Sequence, residues 1–250
     1  MSALPVTGQE ARFGATQRRD AWWAAPLATA TALSLFGLYA TWAALQGENY
    51  EWGPYLSPFY SPLLVYDWWH WSPALLILWA PLGFRATCYY FRKAYYRAYL
   101  VDPPACAVGE RPGRKYSGEA KFPFILQNVH RYFLYAALVF IVILWIDAVR
   151  AFFFHDGVGV GVGTLVLLAN VVFLSLYTFS CHSLRHLAGG SVDCFSCAAF
   201  GRTRHKLWSG LSILNQNHML YAWTSLFSVG LADLYVRLVA TGVITDQRLL

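Results

Sequence analysis

The chain's most reactive side chains are five cysteines and seven histidines, and they are unevenly spread. The densest stretch is Cys181-His182-Ser183-Leu184-Arg185-His186. His182 and His186 are four residues apart, so on a helix they share one face, and two imidazoles so placed can hold one metal ion. Cys181 would lie about 100° round the helix from His182. Gly189-Gly190 then stops the helix, and Asp193-Cys194-Phe195-Ser196-Cys197 follows. A CxxC beside a histidine pair is a metal pattern, and zinc with two thiolates and two imidazoles is its plainest form. Taken alone, the CxxC reads equally well as two loop thiols with no ligand.

Three other places carry the same chemistry. Cys88 lies about three turns inside the end of an apolar segment. His130 follows Gln127 and Asn128, and His218 follows Asn215, Gln216 and Asn217. Three amides and a histidine are poorly suited to lipid, so they should face a bundle interior, as ligands or as interhelical hydrogen-bonding groups. Soft thiolates and imidazoles on facing helices suit heme, zinc, copper or an iron–sulfur cluster. Nothing points to a soluble substrate: there is no Gly-rich phosphate loop, nucleophile elbow or acidic pair. The expectation is an electron-transfer subunit working with quinone. A non-redox scaffold or transporter is the rival, but no internal repeat or broken helix is evident.

The elements that hold these groups are set by composition. Of 250 residues, 57% are apolar and 13% charged, against about a quarter charged in a soluble domain. The net charge of +6 therefore reads as membrane orientation and not as nucleic-acid binding. Five apolar segments, near 22–46, 69–99, 123–154, 160–187 and 205–243, reach the roughly 20 residues that span a bilayer. The fold class is all-α, a five-transmembrane-helix bundle, since backbone in lipid must pair internally and the runs do not alternate as barrel strands do. The second and fifth segments are too long for a bilayer and should protrude or tilt. Trp22, Trp23, Trp68, Trp69, Trp71 and Trp208 sit where an interfacial belt would.

With the N-terminus inside and the C-terminus outside, all but Arg150, Arg237 and Arg248 of the 19 lysines and arginines fall on inner segments, which fixes the orientation. Residues 1–21 form an inner tail with no cleavable signal peptide, 22–243 the membrane domain, and 244–250 an outer tail. All five cysteines and five histidines then face the inner side, leaving His70 and His155 outside. Inner cysteines meet a reducing compartment, so no structural disulfide is expected. The basic loop from Asp102 to Ala120, with Arg111, Arg114 and Lys115, is the candidate docking surface. Asp233 with Arg237, and Asp147 with Arg150, read as structural pairs.

The stretches FRATCYYFRKAYYR (84–97), PPACAVGE (103–110), FPFILQNVHRYF (122–133), CHSLRHLAGG (181–190) and NHMLYAW with SLFSVGLADLYV (217–236) resemble the membrane-anchor subunit of actinobacterial succinate dehydrogenases, the one-anchor, five-helix class called type F. The resemblance covers most of the chain from about residue 20. It implies a multi-pass protein of the plasma (cell inner) membrane, bound on its cytoplasmic face by a flavoprotein subunit that oxidises succinate and by an iron–sulfur subunit. It also implies a buried Rieske-type [2Fe–2S] cluster, where related anchors carry two b hemes, and a quinone acceptor of the menaquinone kind. Two hemes would need four axial histidines at two depths, and the outer half offers only His70 and His155. One heme b is the alternative to the cluster.

The C-x-H and C-x-x-H pattern of ordinary Rieske proteins is absent, so ligands must come from several helices. Under the resemblance Cys88 and Cys181 are the favoured thiolates, with Cys106 next. His182 and His186 rank ahead of His130 and His218 as imidazoles, and Cys194 and Cys197 are left out. Tyr89, Arg92, Gln127, Arg131 and Trp208, with His130, are the candidates for quinone contact.

Overall fold

The computed structural model describes residues 12–110, 120–122 and 124–250. Arg111, Arg114 and Lys115 of the expected docking loop lie outside the described residues. The described residues are mostly helical, with two short hairpins, in agreement with the all-α expectation. Among the described residues, four helical segments are long and apolar enough to cross a membrane: Ala24–Gln46, Ile125–Arg150, Val162–Phe179 and His218–Ala240. They match the first, third, fourth and fifth expected spans.

The second expected span is a succession of short pieces: α2 (Ala74–Ile77), α3 (Trp79–Ala86), α4 (Tyr89–Ala94) and a π-helical turn (Tyr95–Tyr99), after α1 (Ala24–Gln46). Pro81 has no N–H for the carbonyl four residues back, which accounts for the break between α2 and α3. The fifth segment is also two helices, α8 (Gly201–Gln216) and α9 (His218–Ala240), meeting at Asn217. The amide run thus marks a helix break, so the expected single overlong helix does not form. Between these lie α5 (His130–Arg150), α6 (Val162–Phe179), α7 (His182–Arg185) and a second π-helical turn (His186–Gly190).

The chain divides into two compact units, Met1–Gly37 with Ala86–Asn128, and Leu38–Arg85 with Val129–Leu250. In the larger unit α6 packs on both α5 and α9. Its core gathers Tyr55, Ala151, Leu167, Ala232 and Val236, with Phe154 and Val166 against them. Tyr55 comes from the hairpin β1 (Glu51–Trp52) and β2 (Tyr55–Leu56). That hairpin is plugged into one end of the bundle. A Cβ at Gly161 or Gly163 would overlap the Tyr55 side chain, so glycine is what admits the plug. The second hairpin pairs β3 (Phe153–Phe154) with β4 (Gly157–Val158).

The expected Asp233–Arg237 pair forms at the same end. Asp233 is fully buried, its carboxylate 2.8 Å from Arg237 Nε and 2.6 Å from the Tyr39 hydroxyl, and Ser57 Oγ donates to it. The guanidinium also donates to the Ala43 and Glu48 carbonyls, at 2.8 and 2.9 Å. Asp147 and Arg150 are looser, at 3.6 Å. In the smaller unit, residues 12–18 bond to 106–109, through Gly14 and Ala15 to Gly109 and through Thr16 and Arg18 to the carbonyls of Ala107 and Cys106.

Candidate functional site

Helix α6 ends because its apolar run gives way to Ser180-Cys181. Ser180 caps the helix, its N–H bonding back to Leu176 O. Its hydroxyl donates to Tyr177 O and lies 2.7 Å from His218 Nδ1. Asn215 Nδ2 donates to Ser180 O at 2.7 Å. Cys181 is extended, at φ −61° and ψ 135°, and its carbonyl accepts the Arg185 N–H to start α7. The cysteine therefore stands at a helix break, not on the helix face assumed from spacing. Its Sγ is 1% exposed with the residue and lies 3.1 Å from His130 Nε2, on the first turn of α5.

A chain of rings ties the histidines together. Phe84 stacks on His130 at 4.7 Å, the Tyr177 ring meets Phe84 edge-on at 5.5 Å, and His218 stacks on Tyr177 at 5.1 Å. Arg85 lies over Tyr177 at 4.6 Å and donates to Ala222 O and Ser225 Oγ. One turn beyond Cys181, Arg185 donates to Ser212 Oγ at 2.8 Å and lies 5.0 Å over the half-buried Trp208 ring.

Cys88 occupies a break of the same design in the smaller unit. It is buried and extended, at φ −61° and ψ 131°, and its carbonyl accepts the Arg92 N–H. Thr87-Cys88-x-x-x-Arg92 and Ser180-Cys181-x-x-x-Arg185 thus share one pattern: a hydroxyl residue ends a helix, a cysteine breaks it, and an arginine closes the next turn. This repeat was visible in the sequence and would have found Ser180. Tyr177 and Phe84, as apolar residues in apolar runs, gave no such signal.

Other expectations fare differently. His182 and His186 are one turn apart, with the His186 N–H bonded to His182 O, but both are exposed. The buried imidazole is His130, with His218 partly buried. Cys194 and Cys197 are joined as a disulfide, against expectation. The turn brings their Cα atoms to 5.3 Å, within bonding range. That pairing removes them from a zinc site. Among the described residues no three His, Cys, Asp or Glu side chains converge as a metal would need. Tested by donor chemistry, the larger unit sets one thiol, Cys181, and two imidazoles, His130 and His218, away from solvent, and the smaller unit buries a thiol of its own, Cys88; thiols and imidazoles are the donor types that a Rieske-type cluster takes.

Of the residues expected at quinone, Tyr89 is exposed with Arg92 4.1 Å over its ring, and Arg131 is exposed beside Tyr132. Gln127 lines a cavity of about 380 Å³ in the smaller unit, with Ala86, Thr87, Tyr95, Tyr99, Leu100 and Leu126. The π-helical turn puts both Tyr95 and Tyr99 in its wall. Gln127 Nε2 donates to Ala86 O at 3.3 Å, and its buried Oε1 has no hydrogen-bond partner.

Residues 24–242 match the model of the family described as actinobacterial succinate dehydrogenase subunit SdhC. The chain belongs to that family. A solved chain of the Mycobacterium smegmatis Sdh1 complex in the apo form is similar at 43% identity, covering 94% of each chain with a TM-score of 0.84. No curated protein matches. The chain is therefore a multi-pass membrane-anchor subunit of a succinate dehydrogenase, a succinate:quinone oxidoreductase.

Proposed function

We propose that this anchor passes electrons from a docked iron–sulfur subunit to quinone through a metal centre at the Cys181 break. The observation that carries the reading is the buried contact of Cys181 Sγ with His130 Nε2. A thiol and an imidazole held together in an apolar, ring-lined setting are costly to bury and are a ligand pair by type. Cys181 would supply a thiolate, and His130 and His218 imidazoles. A Rieske-type [2Fe–2S] cluster, when bound, supplies one-electron exchange at a potential raised by its imidazole ligands.

The orientation that serves this function has the N-terminus inside, five membrane crossings with the broken segment 69–99 as the second, and the partner flavoprotein and iron–sulfur subunits on the cytoplasmic face. Quinone reduction takes two electrons and two protons. The Gln127 cavity is apolar and aromatic, as a naphthoquinone ring of the menaquinone kind requires. The Gln127 Oε1 would accept from the hydroquinone O–H, which gives a buried acceptor its missing partner.

The test is EPR and turnover on the purified complex. In Cys181→Ser and His130→Ala we expect the cluster signal to vanish and quinone reduction to fall at least about tenfold, roughly 1.4 kcal/mol. Succinate oxidation with a soluble dye should persist. His182→Ala with His186→Ala should keep both signal and turnover. A retained signal in Cys181→Ser would sink the ligand assignment, and a b-type α band in the wild-type complex would replace the cluster with heme.

A further inference from the structure

The Cys194–Cys197 pair lies outside the machinery described above. The two residues close a tight turn, with Cys197 N–H bonded to Cys194 O and Ala198 N–H to Phe195 O. Cys197 is exposed and Cys194 partly so, and Cys194 Sγ lies 3.3 Å from Ser196 Oγ. Held inside the turn is Phe195. Its ring meets His205 edge-on at 5.1 Å and Trp208 at 6.1 Å. A Cβ at Gly189 would press on Trp208 Cβ at 2.9 Å and on the Phe195 ring at 3.0 Å, and one at Gly201 would overlap the Phe195 carbonyl. Phe195 is thus a wedge between the end of the second π-helical turn and the start of α8, seated on the ring that Arg185 covers from elsewhere.

We propose that Cys194–Cys197 is a reversible thiol–disulfide modification site, and that its reduction by a soluble dithiol protein releases the Phe195 wedge from Trp208. An exposed disulfide across two intervening residues is open to in-line exchange and is the labile, regulatory kind, not the buried structural kind. A thiolate of the dithiol attacks the Cys197 sulfur, and the Cys194–Cys197 bond breaks as a mixed disulfide forms. Cys194 leaves as a thiolate and takes a proton. The second thiolate of the dithiol then attacks its own sulfur in the mixed disulfide, and Cys197 leaves and is protonated. Two electrons and two protons pass from the dithiol to the pair, and the dithiol ends as its own disulfide. Exchange with that oxidised form runs the steps backwards.

With the covalent link gone, the turn loses the constraint that holds Phe195 between Gly189, Gly201 and Trp208. The backbone from Phe195 into the first turns of α8 should then open more often. This inference stands apart from the cluster and quinone readings, because neither enters its test.

The experiment uses the purified complex in a Cys106→Ser background, equilibrated in buffers of graded dithiothreitol ratio. Alkylation and mass spectrometry of the 194–197 peptide read the pair, and hydrogen exchange reads residues 195–208. The expected result is a single reversible two-electron transition, with exchange in 195–208 roughly threefold faster in the reduced form. Cys194→Ser with Cys197→Ser should show the fast exchange in every buffer. The proposal is overturned if the pair stays oxidised, or reduced, across the whole series. It is equally overturned if exchange is the same in both states, or if the redox dependence survives in the double variant.

Discussion

The two ends of helix α9 carry polar groups of the same rarity and treat them oppositely. His218 and Asp233 lie about 22 Å apart along that helix. At the Asp233 end, charge meets charge: a carboxylate with no exposure accepts from Arg237, Tyr39 and Ser57, and the guanidinium spends its other donors on backbone carbonyls. At the His218 end, imidazole meets hydroxyl and thiol, with aromatic rings between. The first arrangement is saturated and fixes the bundle to its hairpin. The second holds soft groups with lone pairs that a metal could use. The same low dielectric serves cohesion at one end and chemistry at the other.

The largest expected effect breaks the cohesive end. Removing one member of a buried ion pair leaves the other uncompensated, at a cost on the order of 3–5 kcal/mol. Asp233→Ala or Arg237→Ala should therefore abolish recovery of assembled complex, or lower its thermal midpoint steeply in detergent. Asp233→Leu with Arg237→Met should recover much of that loss, since an apolar pair has no charge to strand. If either single alanine variant assembles with unchanged thermal stability, the saturated end is not what holds the bundle.

At the soft end the next effect is steric. A Cβ at Gly83 would overlap the Phe133 ring, one residue before the Phe84 that stacks on His130. Gly83→Ala should cost about 1–3 kcal/mol by overpacking, measured as a lower thermal midpoint. It should also disturb the EPR line shape of the proposed cluster, which a loss of packing at the Asp233 end would not.

The two ends were also unequally legible in sequence. Asp233 and Arg237, four apart with the acid first, announce themselves by a rule of helix geometry, and the structure pairs them. The soft end was less legible, because helix periodicity carries no sign of the residues that break the helix. Cys88, Cys181 and Asn217 each sit at a break, and hydropathy averages over windows longer than one turn cannot see that. His182 and His186 have the spacing of a pair, and both are exposed. His130 is covered by Phe84 and lies against Cys181, contacts between segments that no local pattern encodes. Four spans were readable because length and apolarity alone define them. The Pro81 break within the second span was signalled by its proline, but only as a weakness in a run whose composition still resembled a crossing.

Ser180 offers a smaller and sharper test of the soft end. It orients His218 through Nδ1 at 2.7 Å, and groups that orient a ligand from behind typically change metal affinity or activity by 10–100-fold when removed. If His218 holds the proposed cluster, Ser180→Ala should shift that cluster's midpoint potential and lower quinone-linked turnover about tenfold. Ser180→Thr, which keeps the hydroxyl, should restore most of both. Ser57→Ala, the matching hydroxyl deletion at the Asp233 end, should lower thermal stability and leave the potential unmoved.

The least expected effect lies where the hairpin plugs the bundle. The Tyr55 hydroxyl donates to Asp246 at 2.8 Å and lies 3.3 Å from Thr164 Oγ1, while Tyr55 is 1% exposed. Burial pushes its pKa up to about 12 from the ordinary 10, with Asp246 adding to the rise. A raised value means that the folded protein holds this proton more tightly than the unfolded chain. The stability it contributes is whole below pH 10 and drains away as the pH climbs from about 10 to about 12. Tyr55→Phe removes one hydrogen bond, about 1 kcal/mol at neutral pH, and removes the titration with it. The thermal midpoint of the wild type should thus fall more steeply than that of Tyr55→Phe across that alkaline window. Parallel curves would mean that the hydroxyl is solvated in the assembled complex, and that the Asp233 end is sealed by Arg237 and the Tyr55 ring alone.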